Sequence, residues 1–400
     1  MSARSRKTGL LSALVLVSGV ALAAPDDDYL VKEHCPREKI AEPQCIVDLW
    51  SRMDEIHAAR GVQKAAKPRA LKRADSAAIE ALSADITSFL DNHRNTGLLV
   101  LQGDTILAER YQYGRTDKQR FASASVAKTV LGMLVGVAVQ EKKIASIDDK
   151  AEKYVPGLKG TVFGDVSIRH LLTMSSGVSY REDWSGSSGG GEAKGLLANT
   201  LHHKTDGGVD AVAGFTKRPF TPGTKWNYSS ADSEVLGLVL RAAVKKPLAT
   251  YLSKKIWQPM GAEANATWLL DKRGLEIGFC CINATLRDYA RFGMLLANYG
   301  VLDGKEIIPS AWVRAATRPE QPYLRVGAVS AFNGYGYQTW LTSREHPQFA
   351  AFGVGGQAIY VDPQSKLVVV HTAVWADPGD RSERGAQFKL WKSLLDKLSS

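Results

Sequence analysis

The chain has 400 residues, 44% hydrophobic and 23% charged, which is enough apolar material for one large folded domain and too much for a disordered chain. Its formal net charge of +10 comes from 51 basic and 41 acidic residues that are scattered along the sequence. The one basic cluster carries no interleaved aromatics, which argues against nucleic-acid binding, and the absence of a Cys-x-x-Cys or grouped histidine pattern argues against a metal centre.

Residues 1–23 have the form of a secretory leader. Arg4, Arg6 and Lys7 precede the apolar run Gly9–Ala23, which ends in the small-residue cleavage site Ala21-Leu22-Ala23. The run is short and poorly flanked for a membrane span, so we expect a periplasmic or secreted protein with no stable span after cleavage. Removing the leader takes three basic residues and no acidic ones, leaving +7.

Residues 24–75 read as an N-terminal extension. Cys35 and Cys45 flank a polar loop containing Pro36 and Pro43, and in an exported protein this predicts a disulfide between them. Cys280 and Cys281 are adjacent, and three states stay open for them: a vicinal bridge, free thiols, or pairing elsewhere. Gln44–Arg60 is moderately amphipathic and predicts a helix. Lys64–Arg73, with five basic residues and a proline, reads as a solvated linker.

The main domain is expected to start near Ser76. The Ile79, Leu82, Ile86, Phe89 and Leu90 spacing predicts a helix over 76–93, and Gly97–Gln102 and Thr105–Tyr113 around Gly103-Asp104 predict a β-hairpin. A mainly helical stretch of about 126–282 follows. Strands return at Gly334–Leu341, Gln357–Val361 and Leu367–Val374, and a helix over Arg384–Leu398 closes the chain. The expected architecture is α/β in the α+β sense, with one sheet built from both chain ends and a helical insertion between them.

Chemistry concentrates in Phe121–Val139, FASASVAKTVLGMLVGVAV. Ser125 and Lys128 stand three residues apart at the start of an apolar run, on one face of a helix that begins there. The amine can then draw the proton from the hydroxyl, which makes a nucleophile without histidine. Burial among Val126, Val130, Leu131 and Leu134 disfavours the ammonium, and the helix N-terminus favours a developing oxyanion. Lys128 is the only lysine in the chain with a serine three residues before it.

Ser125-Val126-Ala127-Lys128, the segment 166–177 (VSIRHLLTMSSG) and Tyr228-Ser229-Ser230 within PGTKWNYSSADSEVLGLVL resemble, in order and spacing, the penicillin-recognising serine hydrolases. The likeness is greatest to the class C β-lactamase-like branch with its 6-aminohexanoate-dimer hydrolases and family VIII carboxylesterases. Gly278–Leu296 and Gly353–Pro363 fit the same branch, and the likeness spans roughly residues 95–395. The resemblance implies a β-lactamase/DD-peptidase-like fold and an acyl-serine hydrolase without cofactor. It implies Ser125 as nucleophile, Lys128 as its base and Tyr228 as a proton relay, the last with a phenolate that the nearby lysine brings closer to working range. The amides of Ser125 and Val354, or of Gln357 in another register, would form the oxyanion hole. Asp183 and Trp184 follow the serine-serine-glycine turn where this branch shapes its substrate pocket, and Gly186–Gly191 reads as a mobile lip.

Two departures from the family pattern bear on substrate. Ser230 occupies the position where many members carry asparagine. The third motif, often Lys-Thr-Gly on the strand beside the nucleophile, is Ala351-Phe352-Gly353, which puts Phe352 and Gly353 beside the substrate and offers no cation to hold a carboxylate. A small neutral amide or ester is therefore the expected partner, ahead of a β-lactam or a D-alanyl-D-alanine terminus. An inactive cell-wall-binding homologue is disfavoured because serine, lysine and tyrosine are all present. The sole Gly-x-Ser-x-Gly match, Gly186–Gly190 around Ser188, lacks the apolar strand that a Ser-His-Asp hydrolase would place before it. The sequence leaves the oligomeric state open.

Overall fold

A computed structural model describes residues 43–184 and 191–398. The leader, Cys35 and the run 186–190 lie outside them. Asn95–Gln102 and Thr105–Tyr111 form the predicted antiparallel hairpin, turned by Gly103 in the left-handed region at φ 59°. Leu367–Ala373, Ala358–Asp362 and Phe349–Phe352 add to it from the other end of the chain, followed by Trp340–Leu341 and Gly334–Tyr335. With Lys72–Arg73 on the far edge the sheet has eight strands, and that edge pairing is the parallel one.

Side chains alternate across this sheet, so each strand feeds two cores. Leu98, Val100, Tyr360, Leu367 and Val369 meet Leu82, Ile86, Phe89, Trp391 and Leu394 from the helices Ser76–Asn92 and Arg381–Leu398. Leu99, Leu101, Ile359, Val361, Val368 and Val370 face the larger core, which holds the helices Val126–Gln140 and Leu286–Ala297. The second of these lies so close to the sheet that a Cβ on Gly293 would stand 2.4 Å from Val368 Cγ1. Helix Val126–Gln140 is buried on every side from Val126 to Ala138, which explains its lack of a polar stripe.

Three expectations need correction. The helix read over Gln44–Arg60 is broken into Pro43–Ser51 and Met53–Ile56, and Ala59–Val62 is a strand. That strand pairs with Ala266–Leu269, which continues through Ile282–Ala284 to Phe121–Ala122 as a second, four-stranded sheet. Pairing partners two hundred residues away decide this, and local periodicity cannot report them. The strand read over Gly334–Leu341 is two short strands around a turn in which Gly336 N–H donates to Thr339 O at 2.8 Å, with Gln338 at φ 52°. The Gln338 side chain is buried there, donating to Leu171 O at 2.8 Å and accepting from Ser233 at 2.7 Å. The basic linker is pinned: Ala65 and Arg69 amides donate to Ala262 and Gly261, and Arg69 pairs with Asp303. No helix among the described residues is long and apolar enough to cross a membrane.

Candidate active site

The site forms where the second sheet hands the chain to helix Val126–Gln140. Ser123 is clamped to the neighbouring strand by its amide to Ile282 O at 2.7 Å and by Ile282 N–H to its Oγ at 3.0 Å. Ala124 then takes a left-handed conformation at φ 43°, which costs an alanine and persists because both flanks are fixed. Ser125 follows as the N-cap, its hydroxyl free to turn away from the helix.

Lys128, one turn on, is 1% exposed. Its Nζ donates to Ser125 Oγ at 2.7 Å, Ser230 Oγ at 3.0 Å and Phe279 O at 3.0 Å, matching an ammonium's three donors. Burial pulls its pKa down to about 8, against the opposing pull of Glu182 and Glu234. The ammonium is therefore satisfied but poorly solvated, and the neutral amine is accessible near physiological pH.

Tyr228 comes from a loop tied to residues 174–180: Asn227 N–H donates to Met174 O at 2.8 Å and its side chain to Tyr180 O at 2.9 Å. The phenol lies beside the Ser125 side chain and its ring packs on Trp340. Its pKa is raised, by burial first and then by the Glu182 charge, which outweigh the lowering effect of Ser125 and of the Arg384 charge. The expected lowering toward working range is therefore corrected. Lys128 Nζ sits 5.0 Å from the ring centroid, over the π face, and Tyr228 is held as a neutral O–H donor.

Glu182 is the residue that sequence reasoning passed over. Its carboxylate accepts from Ser230 Oγ at 2.8 Å, Ser230 N–H at 3.1 Å and Trp184 Nε1 at 2.9 Å. It thereby fixes the hydroxyl that Lys128 touches, and its charge acts on the amine more strongly than that of Glu234. Asp183, the acid favoured from sequence, is not among the residues lining the cavity at Ser125, whereas Trp184 is.

The strand Phe349–Phe352 brings the third motif beside the nucleophile turn. Gly353 is required there, because a Cβ would stand 2.6 Å from Ser123 O and 3.0 Å from Ala124 Cβ. The amides of Gly353 and Gly355 donate to Gln357 O and Pro378 O, both at 2.8 Å, while Val354 lines the cavity with Ser125. Gln357 is buried elsewhere, its side chain donating to Ala373 O at 2.7 Å, so of the two registers Val354 is the one at the cavity. Phe352 faces away from it, against Trp340, Tyr360 and the Arg384 guanidinium 4.6 Å from its ring centroid. The expectation of no cation beside this strand is corrected accordingly. Arg384, from the C-terminal helix, donates to Gly353 O at 2.7 Å and bonds Gln387.

A cavity of about 300 Å³ opens from Ser125 and Val354 between Phe279, Trp184 and Leu269. Cys280 and Cys281 form part of its wall, joined in a vicinal disulfide with Cys281 at φ 81°. Cys45 is buried and disulfide-bonded, and the predicted partner Cys35 lies outside the described residues. No group of three or more metal-ligating side chains occurs among the described residues.

Comparison with known proteins fits this arrangement. The 6-aminohexanoate-dimer hydrolase of Paenarthrobacter ureafaciens is 28% identical over 308 residues, 76% of this chain and 78% of that one. A Bacillus anthracis structure provisionally named a 6-aminohexanoate-dimer hydrolase superposes with a TM-score of 0.77 at 23% identity, covering 90% of this chain and 97% of its own. EstCE1, a hydrolase with promiscuous acyltransferase activity, superposes with a TM-score of 0.60 at 18% identity, covering 78% of this chain and 99% of its own. Residues 82–389 match the beta-lactamase family, a span that holds Ser125, Lys128, Glu182, Tyr228 and Val354. The chain is thus a serine hydrolase belonging to the beta-lactamase family.

Proposed function

We propose that the protein is exported and cleaves an amide or ester bond of a small neutral substrate through an acyl-serine intermediate. The observation that carries the proposal is the 2.7 Å contact between Lys128 Nζ and Ser125 Oγ, with the nitrogen buried and its pKa near 8. In the neutral form Lys128 accepts the Ser125 proton as Oγ attacks the carbonyl carbon. The resulting oxyanion lies at the amides of Ser125 and Val354, next to the positive end of a fifteen-residue helix. Tyr228, held protonated beside Ser125, donates to the leaving nitrogen or oxygen and is reprotonated from Lys128. Water then attacks the acyl-enzyme by the reverse relay and releases the acid. Ser230 and Glu182 position the amine between the two hydroxyls. Export rests on the leader at 1–23, which lies outside the described residues.

Replacing Ser125 by alanine is expected to abolish hydrolysis and labelling by an activated fluorophosphonate. Intact-mass measurement on secreted protein reads the label and also a mature chain beginning near Ala24. A Ser125→Ala protein that still takes up one label and keeps its activity would move the nucleophile elsewhere.

A further inference from the structure

The cavity at Ser125 is walled partly by chain that precedes the family match at residue 82. Leu49, Trp50, Met53 and His57, all from the segment Pro43–His57, line it. This segment is anchored. Asp54 accepts from Arg120 Nε and from Thr267 Oγ1, both at 2.7 Å, and the ion-paired side chains are 1% and 3% exposed. Trp50 stands over the Val354 turn, so close that a Cβ on Gly355 would lie 3.0 Å from its ring.

Among the described residues the lining contains no lysine, arginine, aspartate or glutamate. Its titratable side chains are His57 and His202, whose rings lie 5.8 Å apart, and burial and the neighbouring His202 and His203 favour the neutral form of His57. A charged group entering here would lose its hydration without gaining a counter-charge. Tyr228 is not part of the lining: its ring packs against Trp226, Tyr335 and Trp340. Val354 lines the cavity with Ser125 and Tyr228 does not, so the cavity opens away from the group that protonates the leaving atom and is placed to take the acyl chain.

We propose that this cavity is an acyl pocket for uncharged aliphatic or aromatic chains, and that Leu49 and Trp50 of the N-terminal segment determine the chain length it accepts. The proposal rests on the acyl-serine reading and adds the substrate class to it. It also sets the protein apart from a hydrolase of amino-terminated oligomers, since an ammonium on the acyl chain would be carried into an apolar wall.

The test is a series of p-nitrophenyl esters from acetate to octanoate, which share one leaving group. With the wild-type protein kcat/KM should rise by roughly fourfold for each buried methylene until the cavity is full. The 6-aminohexanoyl and adipoyl monoesters should fall at least tenfold below the hexanoyl ester. Trp50→Ala should shift the optimum to longer chains and Leu49→Phe to shorter ones. Opposite shifts cannot arise from general unfolding. Calorimetry of hexanamide and 6-aminohexanamide with Ser125→Ala, which cannot turn over, reads the pocket alone and should show binding of the neutral amide only. A flat chain-length profile, preference for the charged chain, or variants that scale all esters equally would overturn the pocket. If hexanamide binds selectively while wild type hydrolyses no ester and takes no fluorophosphonate, the acyl-serine reading fails and the apolar pocket stands.

Discussion

Lys128 carries the clearest chemical consequence of burial in this chain. A lysine near pKa 8 is mostly protonated at pH 6 and mostly neutral at pH 9, so a reaction that needs the neutral amine should rise across that window. Glu182 raises the lysine pKa, and removing its charge must lower it. Glu182→Gln, which keeps a hydrogen-bond acceptor for Ser230, is therefore expected to move the rising limb of the kcat/KM profile to lower pH. It should also reduce the plateau about tenfold, the scale of one charge-assisted hydrogen bond. Initial rates from pH 5.5 to 10 on both proteins decide this. An unshifted limb with a lowered plateau would leave Glu182 a merely structural partner of Ser230. Ser125, Lys128 and Tyr228 were legible in the sequence because fixed spacing within one helix, together with an ordered set of motifs, survives without knowledge of the fold. Glu182 was not, because nothing local distinguishes it from Asp183. Only the approach of Ser230, forty-eight residues later, separates the two acids.

At the scale of elements, helices were read well where one apolar face is repeated, as in Ser76–Asn92, and strands well where a hairpin turn fixes them, as around Gly103. The second sheet escaped because Ala59–Val62, Ala266–Leu269 and Ile282–Ala284 are short and take their pairing from distant chain. That sheet holds the floor of the site. Between Phe279, whose carbonyl receives Lys128, and Ile282, which clamps Ser123, lie only Cys280 and Cys281, closed into a ring by their disulfide. Opening the ring frees a left-handed backbone position at Cys281 that a non-glycine residue leaves when it can. The double variant Cys280→Ala, Cys281→Ala is accordingly expected to lower kcat several-fold with a smaller effect on KM, since the lysine's acceptor shifts while most of the cavity wall remains. Steady-state rates, with circular dichroism to show the fold intact, check it. Unchanged kcat in a folded variant would reduce the bridge to a packing element.

For the whole molecule, the N-terminal segment and the insertion line one cavity while the C-terminal helix packs beside the third motif, and what each contributes decides the substrate. The N-terminal segment contributes apolar side chains. The C-terminal helix contributes Arg384, a cation beside the third motif, but its guanidinium already bonds Gly353 O and Gln387 and lies over Phe352 and Trp375. A substrate carboxylate would have to displace those partners to use it. Without an available cation, a substrate held by its carboxylate loses a charge-assisted hydrogen bond of roughly 1.5–3 kcal/mol, which is about one to two decades in rate. Neutral substrates lose nothing. Short esters or linear amides are therefore expected to be hydrolysed with kcat/KM at least tenfold above those for nitrocefin or benzylpenicillin, in one set of initial rates on the wild-type protein. Arg384→Ala separates the two roles open to the guanidinium: if it only fastens the helix to the strand, esters and β-lactams should decline together. A selective loss of β-lactam turnover, or a β-lactam emerging as the best substrate, would show that Arg384 releases Gly353 to bind carboxylate, and would place the enzyme among the β-lactamases by activity as well as by fold.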